Sequence, residues 1–584
     1  MTETLSIREP LMKGLRTSED NSKADGFLMD AEGCMCTPYA LLPSERIFQP
    51  SLVEVTHPYP QAMRLIQSTI VAHEDSISTL DGTVETPHIL VTLGTASVYS
   101  GWTYVGLTAT DGVNGVVFTG AGTATSSSAV VSGTSYQVRF TVSALTKGNN
   151  PGAVRLCLGG TYTDRVYREG THTFLIEAGG TVVSLVSTAS PGPFIATVTN
   201  VIITPFTASS IDSTNRGRWQ SADFGNFWAL FNGDCMIMHH PEAGSMVSSS
   251  VYANTGCAFR GRLYLGGLSN LLSATYLAAI LTYRDLHKDS APSYGDNFVW
   301  WSSVGLDEVL WPLLPSLMTK DKYLDVLERN EWGLLEMDWA GEPQAMIPLG
   351  NGVVVYGLDG ITFLDHRGKT MARQEVAPFG ILDRNSVDGD IAAHHFLDGE
   401  GVLWKLTAQL QLSRVGYEEF FRDLYRPSIV KHPTLNRIWI GDADDAYLLS
   451  EGGLTKIAHS VTSAVFVHGR LTGYYADVGD DEFSLMTSVY DLGGSFIKNI
   501  VGITLGLSVV DLLEATIFYR NSPGDIFRQT DWVAVKEDGT APFLVSAVEF
   551  MIGVRSTTPL VGELNSISIH WNKGGRRSLT EYAL

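Results

Sequence analysis

Between Trp228 and Val467 the chain keeps returning to one local pattern: two short apolar runs, rich in Val, Ile, Leu and aromatics, meet at a Gly-containing turn. The pairs include Trp228–Met238, Gly261–Gly267, Phe298–Trp301, Met346–Tyr356 with Gly360–Leu364, Gly401–Lys405 with Leu410–Leu412, Arg437–Ile440 with Ala446–Leu449, and Ala464–Val467. Hairpins recurring at intervals of roughly 40 to 60 residues, with Asn-Gly and Gly-Asp turns, have the character of propeller blades. Trp and Tyr in such strands are first expected between blades as core. Composition agrees: 44% of residues are hydrophobic, only 17% are charged, and 58 Gly are scattered as turns. The fold class expected is mostly β, a β-propeller-like body with an inserted β-sandwich and a C-terminal β-sandwich.

The insertion is visible as a shift in composition. Residues 90–207 are rich in Thr, Ser, Val and Gly and poor in charge. Within them Tyr136, Val138, Phe140 and Val142 alternate with polar neighbours, and Val154, Leu156 and Leu158 repeat the period of two that marks a half-buried strand. Several such strands with turns at Gly159-Gly160 and Gly179-Gly180 predict a β-sandwich. The hairpin pattern takes over after Thr207, so the body is expected over 57–89 and 208–482. Residues 483–584, with strict alternation in Leu564–Trp571, form an expected C-terminal β-rich domain. Residues 1–56 carry Pro10, Pro38, Pro43 and Pro50 without a sustained period and are expected to be an arm lying across another surface. A helical interlude is predicted over Leu317–Trp332.

Two resemblances rest on these stretches. The module at 90–207 resembles the carbohydrate-binding-like sandwiches of phage structural proteins, through Gly101-Trp102, Ser135–Val142, Cys157–Gly160, Thr171–Phe174 and Val198–Ile202. The whole chain resembles the tail nozzle (tail tubular) proteins of short-tailed bacteriophages. That likeness rests on His57–Gln61, Trp219–Asp223, Trp228–Gly233, Gly261–Gly267 and Val353–Gly357. The second resemblance implies a homohexameric ring on the tail axis of a virion, below the portal and adaptor rings, with a DNA ejection channel through it. It also implies as partners further copies of the chain, the portal–adaptor ring, tail fibres or spikes, and DNA passing without sequence-specific contacts. The inserted sandwich would project from the ring exterior. Alternatives are a receptor-engaging tail protein binding host glycan and a propeller glycoside hydrolase.

Charge and chemistry narrow the function further. A net charge of −22 argues against a protein that wraps nucleic acid, which needs a basic face to neutralise phosphates. The five cysteines, Cys34, Cys36, Cys157, Cys235 and Cys257, form no CxxC knuckles, so neither a disulfide framework nor a structural zinc is expected. Met1–Lys13 lacks a basic-then-apolar pattern, which predicts synthesis in the cytoplasm and another route to any outside location; the resemblance implies that this location is the virion tail, reached from the host cytoplasm.

Gly368-Lys369-Thr370 ends like a phosphate loop, but Phe363 stands where the first glycine is required. Asp442, Asp444 and Asp445 begin like a calcium loop that Ala446 and Tyr447 interrupt. Asp398–Gly401 lacks the spacing of a sialidase box, and no GxSxG or HExxH occurs. The doublets His239-His240 and His394-His395 each offer one ligand at most to a given ion, because adjacent strand residues face opposite sides. No catalytic residue, metal or cofactor is nominated. Two sets of residues are. Trp102 and Tyr104, with Tyr162 and Tyr167 the other aromatics available, are candidates for stacking on a host glycan. Asp388, Asp390, Asp444, Asp445, Asp480, Asp481 and Glu482 are candidates for an acidic channel lining that would repel passing DNA.

Overall fold

A computed structural model describes residues 3–7, 15, 28–50, 61–65, 68–72, 77–81, 84–87 and 90–93. It further describes 97–208, 219–267, 297–302 and 333–574, each of the longer stretches with interruptions. Strands dominate: the one α-helix among the described residues is Glu418–Phe421. The expected mostly-β class is what the chain adopts. The predicted helix over Leu317–Trp332 lies outside the described residues. The chain divides into two compact units, one of residues 1–73, 78–86 and 338–584, the other of 74–77 and 87–337.

In the second unit the predicted sandwich is present. One sheet contains Ala109–Gly112, Gly115–Phe118, Ile195–Ala208, Ser135–Thr146 and Gly170–Glu177; the other contains Trp102–Val105, Gly122–Ala129, Val182–Thr188, Ala153–Leu158 and Thr161–Tyr162. The alternation read from sequence is the one that packs. Tyr136, Val138, Phe140 and Val142 point into a core shared with Val154, Leu156, Leu158, Val183 and Leu185, while Gln137, Arg139 and Thr141 are only half-buried. The last strand does not end with the domain. Its final residues Phe206, Thr207 and Ala208 pair with Leu93, Thr92 and Val91, so the entering and leaving chains form a two-stranded stalk. Leu90–Leu93 continues through Ser245–Ser248 into the meander of Gln220–Asp223, Trp228–Phe231 and Met236–His240. A second meander follows with Thr255–Phe259, Arg262–Gly266, Phe298–Trp301 and Gly333–Glu336.

The first unit continues the same motif. Four-stranded antiparallel meanders span Ala345–Leu349, Gly352–Tyr356, Ile361–Arg367 and Thr370–Ala377. The next comprises Val387–Gly389, Ala393–Leu397, Leu403–Thr407 and Leu412–Gly416, and the third Ser428–Lys431, Ile438–Gly441, Ala446–Ser450 and Gly453–Lys456. These are blade-like units, and in the first and third an apolar strand, Gly352–Tyr356 or Ile438–Gly441, is buried along its whole length. Their tight turns are held by acidic side chains. The Asp398 carboxylate accepts the Glu400 and Val402 amides at 2.9 Å each and the Trp404 indole N–H at 2.8 Å, so the Asp398–Gly401 segment is a structural turn cap. The hairpin His459–Val467 with Arg470–Asp477 packs Val465, Val467 and Tyr474 on Val71 and Leu80 of the early strands.

The C-terminal β-domain is also a sandwich, but the described residues among 1–56 do not form a separate arm. Glu3–Ile7 pairs along Leu564–Lys573, Leu28–Glu32 pairs with Phe483–Thr487, and Leu41 of the Cys34–Pro43 hairpin meets Leu564. Glu32 also pairs in parallel with Lys456, so this early strand joins the last meander to one sheet of the sandwich. The physical reason is burial. Leu28, Ala31, Cys34, Cys36 and Leu41 are fully buried in the core that holds Phe483, Ile500, Phe550 and Ile567. The crossing depends on Gly33, whose φ of +65° and close approach to the Glu482 carbonyl leave no room for a Cβ.

Candidate functional site

The most chemically equipped concavity among the described residues lies in the first unit, where two successive meanders meet. Three turns of the hairpin-over-hairpin chain come to the same end there: 390–392, 408–411 and 432–437. They enclose a cavity of about 580 Å3 lined by Asp390, Ala392, Ala393, His395, Lys405, Thr407, Ala408, Gln409, Lys431 and Pro433–Asn436. His395 and Lys405 are cross-strand partners, so both side chains leave the same face of the sheet toward this space.

The strand rule separates the two histidines of the doublet. His394 turns into the core and bridges to the preceding meander: its Nε2 donates to the Pro348 carbonyl at 3.1 Å, which leaves Nδ1 to accept the Tyr356 hydroxyl at 2.8 Å. His395 turns to the cavity, is 4% exposed, and its Nδ1 has no hydrogen-bond partner among the described residues. Burial pushes both imidazoles down to about 4; for His395 the Lys405 and Lys431 ammonium groups add to the effect. Both rings are therefore neutral at pH 7.

The rim is fixed by charge. Lys431 Nζ pairs with Asp390, whose other oxygen accepts the Ala392 and Ala393 amides at 2.8 and 3.1 Å. Burial works to raise the Asp390 carboxyl, but the Lys431 hydrogen bond and the two amides hold it below the usual range. Asp388 accepts the Lys431 amide at 2.9 Å, tying the first strands of the two meanders together. The wall formed by 432–437 is braced from behind. Buried His432 accepts the Thr434 and Leu435 amides on Nδ1, and its Nε2 faces Glu45, which also binds Arg437 at 2.7 Å. The Glu45 carboxyl is held low, first by the His432 hydrogen bond and then by Arg437, against the upward push of burial. Lys405 is half-buried, and its ammonium has neither an ion pair nor a hydrogen bond among the described residues.

The residues nominated from sequence are distributed differently from that nomination. Trp102 is 7% exposed and packs inside the sandwich core, with half-buried Tyr104 against it, so neither presents an open ring face. This corrects the stacking assignment: on its strand Trp102 faces inward and is a core residue. The sandwich's exposed aromatics are Tyr162 (46%) and Tyr167 (40%), with the Arg155 guanidinium 3.8 Å from the Tyr162 ring centre. Asp388 and Asp390 share one turn of the cavity rim. Asp445 pairs with Lys456 at 2.8 Å, and Asp444 is exposed on the same turn.

Asp445 and exposed Glu482 both lie near Glu32. Burial raises the Glu32 carboxyl, Lys456 opposes this, and Asp30, Glu482 and Asp445 add to the rise. Asp480 and Asp481 lie outside the described residues. Two of the four described aspartates of the nominated acidic set are thus ion-paired, which reduces the free negative charge of their loops. Sequence reasoning weighs His395 as a metal ligand against an ordinary core or surface histidine, and passes over Lys405 and Lys431. The available signal is the hairpin spacing that sets His395 opposite Lys405.

No protein family matches the chain, and no curated protein matches it. Solved structures do. The apo AztD structure from Citrobacter koseri is 12% identical, with 58% of this chain and 97% of that one covered and a TM-score of 0.22. PorZ of Porphyromonas gingivalis is 9% identical over 83% of this chain and 46% of its own, at 0.28. An exo-β-1,3-galactanase from Phanerochaete chrysosporium is 10% identical over 90% and 99%, at 0.16. At TM-scores this low the likeness carries no inference about chemistry.

Proposed function

We propose that this chain is a structural component of a phage tail, a nozzle-type ring subunit around the DNA ejection channel. One observation supports the reading most directly. Three of the stretches that carry the resemblance, Trp228–Gly233, Gly261–Gly267 and Val353–Gly357, fall on the second strand of a four-stranded meander each time: Trp228–Phe231, Arg262–Gly266 and Gly352–Tyr356. The stretches that carry the likeness thus share one position in a repeated structural unit. A chain built from successive four-stranded meanders suits a structural role, and the acidic balance of −22 suits contact with passing DNA that stays weak. Native mass spectrometry and negative-stain images of the full chain test the reading. Six-fold rings, formed alone or on a portal–adaptor ring, are expected; a chain that stays monomeric in both settings overturns it.

A second reading, receptor glycan capture by the inserted sandwich, is favoured by the two exposed tyrosines, Tyr162 and Tyr167, close together in sequence. Loss of glycan-array signal in the Y162A/Y167A double variant of the full chain supports it, and an array with no signal for the parent chain removes it.

A further inference from the structure

We infer that the cavity between the meanders 387–416 and 428–456 is a binding site for a carboxylate-bearing sugar of the uronate class. The inference is independent of the ring reading and uses a different part of the chain from the sandwich.

Charge decides the ligand's sign and valence. Lys431 is already neutralised by Asp390, and His395 is neutral, so the cavity's described lining retains one unbalanced charge, the Lys405 ammonium. This unpaired cation on the lining attracts one negative group. A single carboxylate matches that demand, whereas a phosphate dianion brings a second charge that nothing in this lining balances.

The hydrogen-bonding groups decide the rest of the ligand. The His395 ring contributes to the cavity lining, with its Nδ1 buried out of contact with the open space. Thr407, Gln409, Thr434 and Asn436 add hydroxyl and amide groups that both donate and accept, as sugar hydroxyls do. Ala392, Ala393, Ala408, Pro433 and Leu435 supply an apolar wall for the ring's C–H face. The volume, about 580 Å3, falls inside the roughly 300–1,000 Å3 typical of small-molecule sites. The site is also pre-formed. Asp388 ties the two meanders, and the His432–Glu45–Arg437 brace fixes the loop 432–437, so little ordering is needed on binding.

Isothermal titration calorimetry on the full chain tests this, with D-glucuronate, D-galacturonate and an oligogalacturonate as probes and glucose, galactose and inorganic phosphate as controls. Binding of a uronate with at least tenfold preference over its neutral counterpart is expected, and the oligomer shows whether the natural source is a free sugar or a polymer. Lys405→Met keeps the side chain's bulk, and it should weaken uronate binding tenfold or more while leaving the melting curve unchanged. Thr434→Val should weaken neutral-hydroxyl contacts severalfold without removing the preference for charge. Absence of uronate binding to the parent chain, equal binding of neutral sugars, tighter binding of phosphate, or full binding by the Lys405→Met variant each overturns the assignment.

Discussion

The two β-sandwiches of this chain are built by opposite routes. The inserted one, between Ser97 and Ala208, takes all its strands from one continuous stretch and joins its surroundings through the paired Leu90–Leu93 and Phe206–Ala208 segments. The C-terminal one takes Glu3–Ile7, Leu28–Glu32 and the Cys34–Pro43 hairpin from the other end of the chain, more than 400 residues away. Each is a two-layer fold around an alternating apolar core. Their difference lies in what must be brought together. The local sandwich closes short loops, whereas the interwoven one needs contacts of very large sequence separation and links the chain's beginning to its end. The inserted domain is therefore a detachable module, and the C-terminal domain is a clasp.

The largest expected effects follow from this contrast. Replacing residues 94–205 with a short Gly-Ser linker keeps the stalk pairs and should leave a soluble protein whose remaining unfolding transition is shifted by only a few degrees. Deleting residues 1–43, a smaller cut, removes fully buried Leu28, Cys34 and Leu41 and exposes two strand edges of the C-terminal sandwich. Insoluble expression or loss of the transition is expected, read by yield and calorimetry. The reverse ranking of the two deletions would refute the module-and-clasp distinction.

Gly33→Ala should be the most damaging single substitution. An added Cβ would lie 2.0 Å from the Glu482 carbonyl oxygen at a φ of +65°, so clash and left-handed strain combine for about 4 kcal/mol. The loss should appear in the C-terminal transition alone. Trp102→Ala provides the counterpart in the inserted module. Emptying a core site of that size costs about 3–4 kcal/mol, and unfolding should be confined to the module when followed by hydrogen exchange.

How much of this is legible in the sequence divides along the same line. Alternation at Tyr136–Val142 marks the inserted sandwich to within a few residues, because its strands pair with near neighbours and the period of two records which face is buried. The meanders are legible from turn chemistry for the same reason. The clasp is not, since nothing in Leu28–Glu32 or Cys34–Cys36 encodes a partner at Phe483 or Leu564; long-range pairing leaves no local mark. Trp102 misleads because a large aromatic beside a glycine reads alike on either face until the register is fixed by Ser126 opposite it. The cavity at His395 is hidden twice, once by the neutral-looking doublet and once because its second wall comes from the next meander.

Acid should separate the two parts of the molecule by a smaller amount. His394 and His395 have folded values near 4 against 6.5 when unfolded. The unfolded chain therefore binds protons first, so their contribution is intact above pH 6.5 and is lost as pH falls from 6.5 through 4, on the order of 3 kcal/mol each at full loss. In the inserted module His172 is also shifted down, by burial, but it is half-exposed and its contribution is correspondingly screened. Melting curves between pH 7 and 4.5 should show the first unit's transition falling faster, and His395→Gln should flatten that slope. Parallel slopes for the two transitions would contradict the assignment.

The smallest expected effect is that of reductant, which should be none. Cys34, Cys36, Cys157 and Cys257 are buried thiols outside any disulfide, so the melting temperature should not change on adding a reducing agent. The same thiols can nevertheless rank the two sandwiches. Burial raises the Cys34 thiol well above its ordinary value, and Cys157 is packed with its sulfur against the Gly160 amide, so neither reacts quickly in the folded chain. Labelling by a thiol reagent in graded urea then reports local opening. If the inserted module is an independent unit, Cys157 should become reactive at its own urea midpoint, while Cys34 and Cys36 follow a second midpoint together with Gly33-dependent unfolding of the clasp. Gly33→Ala should move only the second, and Trp102→Ala only the first. A single shared midpoint, moved by both substitutions, would mean that the stalk transmits stability between module and body and that the two sandwiches unfold as one.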